Sequence, residues 1–173
     1  MAWEETVTVI KIKGSKKPND WLRRVGEEAV QVILDRTKAG KDKNGNPFHP
    51  YSDAYKNSDD FILAGKSANN VNLKLMGEML ADLSVLSARD NTIIIGFPDD
   101  EQRAKANGHI TAKQGTGKLP KRDFLGISDK ELQKILEKTP EPEKLREAER
   151  KAAKQGITLE DIFGILTNEG EIL

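Results

Sequence analysis

Two histidines, His49 and His109, are the side chains best suited to proton transfer near neutral pH, and they stand 60 residues apart. No Gly-x-Ser-x-Gly elbow accompanies them to expose a nucleophile. The chain has no cysteine, which removes thiolate catalysis, disulfides and the common structural zinc sites. Gly117-Lys118 carries the end of a phosphate loop, but Ala112 stands where its first glycine belongs and Leu119 where a hydroxyl would hold magnesium. Asp42-x-Asn44-x-Asn46, with Asp53 beyond, alternates donors like a calcium loop. Pro47 occupies the position that needs glycine for the sharp turn, and only two carboxylates would face the ion. A turn-rich polar loop is the better reading. Glu141, Glu143, Glu147 and Glu149 alternate with Lys144, Arg146, Arg150, Lys151 and Lys154 and read as a solvated helical face, with Glu147 and Lys151 one turn apart. These residues predict no catalytic group, no cofactor and no metal, so the expectation is a protein that is not an enzyme.

Charge points toward partners. Residues 103–122 carry six basic side chains (Arg103, Lys105, Lys113, Lys118, Lys121, Arg122) and no acidic one, between flanks rich in Asp and Glu. That pattern suits charge-complementary packing between copies or partners, or else a solvated basic loop. Nucleic acid is the other partner such a segment fits, although the basic run contains no aromatic residue before Phe124 to stack on bases. The whole chain is neutral, with 28 basic and 28 acidic residues among 173, and only 36% of it is apolar. A thin core is expected, with assembly contacts sharing the stabilisation. The longest apolar runs, Val30 to Leu34 and Thr92 to Phe97, fall far short of the ~20 residues of a membrane span. Met1-Ala2-Trp3-Glu4-Glu5 is acidic and lacks the apolar core of a secretory signal.

The elements that must position these residues follow from periodicity. Thr6 to Lys13 is β-branched and predicts an opening strand. Asn19 is the expected N-cap of a helix of about five turns, carried by Leu22, Val25, Ala29, Val32 and Ile33 and stopped at Gly40. Gly40 to Asn72 predicts a long polar loop, functional or ordered on assembly. Leu73, Met76, Met79, Leu80, Leu83 and Leu86 predict a second amphipathic helix, broken in its first turn by Gly77. Asn91 to Phe97 predicts a central strand, and Glu101 to Ala106 a short helix before the basic loop with its Gly115-Thr116-Gly117 tip. A Ser128-Asp129-Lys130-Glu131 capping box opens a helix through Lys138, a charged helix runs from Glu143 to Gln155, and a last helix starts at Thr158.

Four stretches stand in one order. The long helix ends in Asp35-Arg36-Thr37 and a glycine turn; Asn46-Pro47-Phe48-His49-Pro50-Tyr51-Ser52 follows, with Tyr55 beyond it. Leu75-Met76-Gly77-Glu78-Met79-Leu80 precedes the strand at Ile93–Phe97, and Leu119-Pro120-Lys121-Arg122-Asp123-Phe124-Leu125-Gly126-Ile127-Ser128 closes the series. Together they resemble the bacteriophage virion-morphogenesis (tail-completion) family, whose Leu-x-x-Thr-Gly-x-Leu helix start and Pro-x-Arg-x-Phe-Leu-Gly signature the last two stretches approach. The likeness spans about residues 18–138, and Met76 departs from it where the family often has threonine.

Elements and resemblance together give an expected α+β fold: a small antiparallel sheet packed on the long N-terminal helix, with a tail-completion-like domain over 1–138 and a charged helical C-terminal extension over 139–173. The resemblance implies a structural protein of the phage neck or tail that completes the tail and joins it to the head. It would reside in the virion, and in host cytoplasm during assembly. Implied partners are copies of itself in a ring, with six as the expected number, the connector or neck proteins, and the tail-tube or tail-terminator proteins. Non-specific contact with packaged DNA is allowed, and no membrane is involved. The alternatives are a tail-terminator or head–tail connector subunit, and, from another class, a small nucleic-acid-binding protein using the 103–122 segment.

Five residues are the interface candidates. Pro47 and Pro50 stiffen the turn presenting Phe48 and Tyr51, which either meet a neighbour or cap the core. Lys118 and Lys121 offer charge, and Arg122 offers bidentate pairing with a carboxylate on another subunit. Phe124 is expected in the core.

Overall fold

The β-branched start of the chain pairs as predicted: β1 (Thr8–Lys11) is an edge strand whose Thr8 and Ile10 point inward while Val9 and Lys11 face solvent. The computed structural model describes residues 6–73, 77–112 and 120–155. Leu75, Met76, the Gly115–Gly117 tip, Lys118 and the helix expected from Thr158 lie outside them. The described residues form an α+β structure that divides into two units, parting between Ser128 and Asp129, ahead of the boundary at 138 expected from sequence.

In the first unit, α1 (Asn19–Lys38) follows β1. Asn19 is its first residue and not its cap: Pro18 holds the N-cap in extended geometry, and its carbonyl accepts from the Leu22 amide at 3.0 Å. The buried face is Trp21, Leu22, Val25, Gly26, Ala29, Ile33 and Thr37, one stripe at helical spacing. The stretch after α1 is less open than the sequence predicts. Two one-turn helices, α2 (Asp53–Lys56) and α3 (Asp59–Leu63), are capped by Ser52 and Ser58, whose hydroxyls accept from the Tyr55 and Phe61 amides at 3.3 Å each.

The second amphipathic helix is corrected. Only α4 (Glu78–Ala81) is helical there, and Ser84–Arg89 is a strand, β2, paired with β3 (Thr92–Gly96). The expected series runs through Leu80, Leu83 and Leu86 at helical spacing, but Leu83 is buried ahead of the strand and Leu86 falls in a β-bulge between Val85 and Ser87, where it is exposed. Asp90 and Asn91, both at positive φ (50° and 56°), form the two-residue turn of a hairpin. Asn91 also ties down the β1–α1 connection, accepting from the Lys17 amide at 2.7 Å and donating to Ser15 O at 2.8 Å. The sheet order is β1-β3-β2, all antiparallel, with Ile93 and Ile95 of the central strand fully buried.

Helix α1 packs on β2 and β3 at Gly26, where an added Cβ would lie 2.8 Å from Val85 Cγ2 and 2.9 Å from Ile93 Cγ2. This close approach sets up a contest. Gly26→Ala gains about 1 kcal/mol of helix propensity, but overpacking costs typically 1–3 kcal/mol. Both obstructing groups are β-branched, and Ile93 is in the sheet centre, so repacking should dominate. The variant is expected to lose about 1 kcal/mol in urea unfolding; a stabilised variant would show that the hairpin gives way freely.

The remaining helix of this unit, α5 (Asp100–Ile110), runs through Asn107-Gly108, where a stop was expected, and is capped by Asp99 accepting from the Gln102 amide at 3.0 Å. In the second unit, α6 (Asp129–Lys138) and α7 (Pro142–Gln155) match the expected helices, and Lys151 pairs with Glu147 at 3.0 Å. Among the described residues no helix is long and apolar enough to cross a membrane.

Candidate functional site

The segment from Pro120 to Gly126 has no regular secondary structure and is held by groups from three other parts of the first unit. The Arg122 amide donates to His109 O, and the Lys43 amide to Asp123 O, both at 2.8 Å. Lys43 Nζ pairs with Asp123 Oδ2 at 2.8 Å. Arg36, on the last turn of α1, donates through Nη2 to both Phe124 O and Gly126 O at 2.8 Å. Gly126 has a φ of +147°, and an added Cβ would press on Lys43 Cδ at 3.1 Å, so glycine suits this bend. Thus pinned, Phe124 is wholly buried and meets Phe97 edge to face, centroids 6.3 Å apart.

Beside this strap lies an aromatic and cationic cluster. Tyr51, Tyr55 and Phe61 form a triangle with centroids 5.2–5.5 Å apart, set by the serine-capped turns of α2 and α3. Lys66 Nζ stands 5.0 Å from the Tyr51 ring centroid and Arg122 Cζ 5.3 Å from it. Arg122 is only 3% exposed, and its Nη2 donates to His49 O at 3.2 Å. Among the described residues its Nε and His109 Nδ1 are buried without a hydrogen-bond partner, while the buried Tyr51 hydroxyl meets the backbone of Asn72 and Leu73.

Protonation follows from burial and from Arg122. Desolvation pushes the His109 pKa down to about 4, and the nearby Arg122 and Lys66 charges push the same way. Burial also lowers Lys66, with Arg122 adding to it, and lowers Arg122 itself against the opposing pull of Tyr51 and Tyr55. Tyr51 is raised by burial, although the Asn72 and Leu73 backbone and Arg122 favour its anion. Tyr55 is raised by burial, then by Tyr51 and Asp60. At neutral pH the cluster thus holds two cations, a neutral imidazole and two neutral phenols.

The five sequence candidates fare differently. Phe48 and Tyr51 are buried at 6% and 7% exposure, covering the core of their own chain. Lys121 is exposed, and Lys118 lies outside the described residues. Arg122 is a correction. Its guanidinium is enclosed by its own chain, packed on Tyr51 and bonded to His49 O, so it is not presented to a carboxylate on another subunit. The 103–122 segment is likewise not one open basic loop. Arg103 binds Phe97 O and Asp100 on α5, and Lys105 pairs with Glu101 at 2.8 Å. Asp42 serves its turn, accepting from the Asn44 and Asn46 amides at 2.9 and 2.8 Å. Among the described residues no group of three or more His, Asp or Glu is placed to hold a metal.

Sequence reasoning missed Arg36, Lys66 and His109 as members of one neighbourhood. His109 stood out only as a proton-transfer side chain and Arg36 only as part of the Asp35-Arg36-Thr37 stretch. No family model, curated protein or solved structure matches the chain.

Proposed function

We propose that this chain is a non-enzymatic structural subunit of a bacteriophage neck or tail, of the tail-completion kind, acting in a ring of copies at the junction of tail and head. One observation carries the reading. Three of the four stretches that give the chain its resemblance to that family meet in space: Arg36 bonds the 124–126 backbone, and Arg122 bonds His49 O and packs on Tyr51. Motifs that are far apart in sequence and close one clamp support reading them together as one structural unit. The fold itself does not dictate the role.

The test is negative-stain imaging of the purified full chain, alone and mixed with tails from the phage that encodes it. Rings seated on tail ends are expected, together with a block in head–tail joining when the protein is missing. Averaged virion necks without density for this chain would end the proposal. A charge-reversed variant, Lys118→Glu with Lys121→Glu, should weaken assembly and leave the melting temperature of the isolated chain unchanged. Undiminished particle yield from that variant would show these lysines to be merely solvated.

A further inference from the structure

We propose that copies of this chain join through two different surfaces, the Ile62–Leu63 tip of α3 on one copy seating on the open face of the β-sheet of the next. The proposal rests on the reading of the chain as a ring subunit and names the surfaces through which its copies touch.

Among the described residues the exposed large apolar side chains are Val9, Ile62, Leu63 and Leu86, and they fall in two groups within the first unit rather than singly. One group is the end of a helical turn. The buried Phe61 anchors α3 in the aromatic triangle, the two residues after it turn outward, and Leu63 is 85% exposed. Asp59 and Asp60, both exposed, lie one turn before this pair, so the tip is apolar with an acidic margin.

The other group is a floor. Helix α1 takes the sheet face that carries Val85 and Ile93, at Gly26. Period-two alternation puts Ile94 on the opposite face, in register with Val9 on one side and Ser87 on the other. Gly96 belongs to that face too. A Cβ added there would lie 2.9 Å from Leu86 Cδ1 and 3.1 Å from Val7 Cγ1, so these two side chains lean over the glycine from either side. Val7, Val9, Ile94 and Leu86 thus make one apolar floor. At its end Thr92 pairs with both Lys11 and Arg89, which brings two exposed cations to the same face. The acid of the hairpin turn, Asp90, pairs with Lys16 at 3.6 Å.

Tip and floor are complementary in sign as well as in polarity. Acids margin the one and bases the other, so tip on floor is favoured, while tip on tip and floor on floor set like charges together. Both groups are exposed in the chain itself, so neither covers the other, and the occupant of the floor is the tip of a second copy. Two unlike patches on one molecule make a heterologous contact, which closes into a ring when its rotation allows. Two side chains on a floor of four are a small contact beside the ~800 Å² a side of a stable pair. Single pairs therefore part readily, and ring closure, which gives every subunit two contacts, supplies the persistence.

The purified full chain would be followed by sedimentation equilibrium up to concentrations at which millimolar contacts register. Concentration-dependent self-association is expected, weakening as salt rises. Leu63→Lys and Leu86→Lys each place an ammonium in the contact and should weaken it roughly tenfold or more. Both positions are exposed, so the melting temperatures should match that of the natural chain; if Leu86→Lys melts early, Val9→Lys takes its place. An equimolar mixture of the tip and floor variants separates this geometry from others. The natural tip of one meets the natural floor of the other, so one-to-one pairs form at the natural affinity and grow no further. A strictly monomeric natural chain would overturn the inference, as would self-association undiminished in either variant, or a mixture without pairs. Rings on virion necks built through other contacts would leave the subunit reading standing while this inference falls. Tip-to-floor association without density at the neck would do the reverse.

Discussion

Phe124→Ala is expected to remove about 3–5 kcal/mol of stability and leave little soluble protein. The ring has no exposed surface, it packs edge to face on the equally buried Phe97, and the residues on either side of it are fixed. Arg36 grips its carbonyl and that of Gly126, while Lys43 binds the Asp123 carbonyl and carboxylate. With the backbone held on both sides the site cannot collapse, so most of the cavity term should persist. Urea unfolding of the full chain measures the loss. A cost below about 1 kcal/mol would mean that the 120–126 strap swings inward to refill the space, and that the clamp is weaker than its hydrogen bonds imply.

Acid should be the second large perturbation, acting through His109. Its folded pKa of about 4 lies below the ordinary histidine value. The unfolded chain therefore takes up this proton first as pH falls. Stability is unaffected above about pH 6.5, declines through the window down to about pH 4, and by then has lost about 3 kcal/mol from this group. Carboxylates add their own losses at the acid end, so the comparison that matters is with His109→Gln. In chloride buffers, urea midpoints should fall steeply for the natural chain between pH 6.5 and 4.5 and only gently for the variant. Parallel curves would place His109 in a wetter setting than its neighbours Arg122 and Lys66 imply.

Where one physical rule dominated, the sequence was readable. Helix α1 followed from apolar residues at helical spacing, β3 from an uninterrupted β-branched run, and the α+β class from both. Strand β2 was not readable because Leu80, Leu83 and Leu86 continue the spacing of the short helix into it, and Leu86 occupies a bulge that interrupts the period of two. Helices α2 and α3 are single turns whose stability comes from serine caps and the aromatic triangle, and so they carry too few residues for periodicity to register. The site was legible in its parts only. Phe48, Tyr51 and Arg122 stood out as residue types, but whether an arginine faces a neighbour or its own tyrosine depends on burial, which composition does not carry. Lys66 and His109 belong to elements far apart in the chain, and nothing local announces that they share one guanidinium's field.

The bonds from Arg36 to Phe124 and Gly126 span 88 and 90 residues of chain. During synthesis the chain emerges from its N-terminus, so α1 and the β2–β3 hairpin can associate through nearer contacts while Arg36 still waits for its acceptors. Until the segment around residue 124 has left the ribosome, the Phe97 ring lacks its partner and remains a sticky surface. A nascent chain stalled before that point would present this surface to chaperones, and release of the last strap residues would be the event that withdraws it. The order of translation therefore makes the 120–126 strap the closing latch of the first unit.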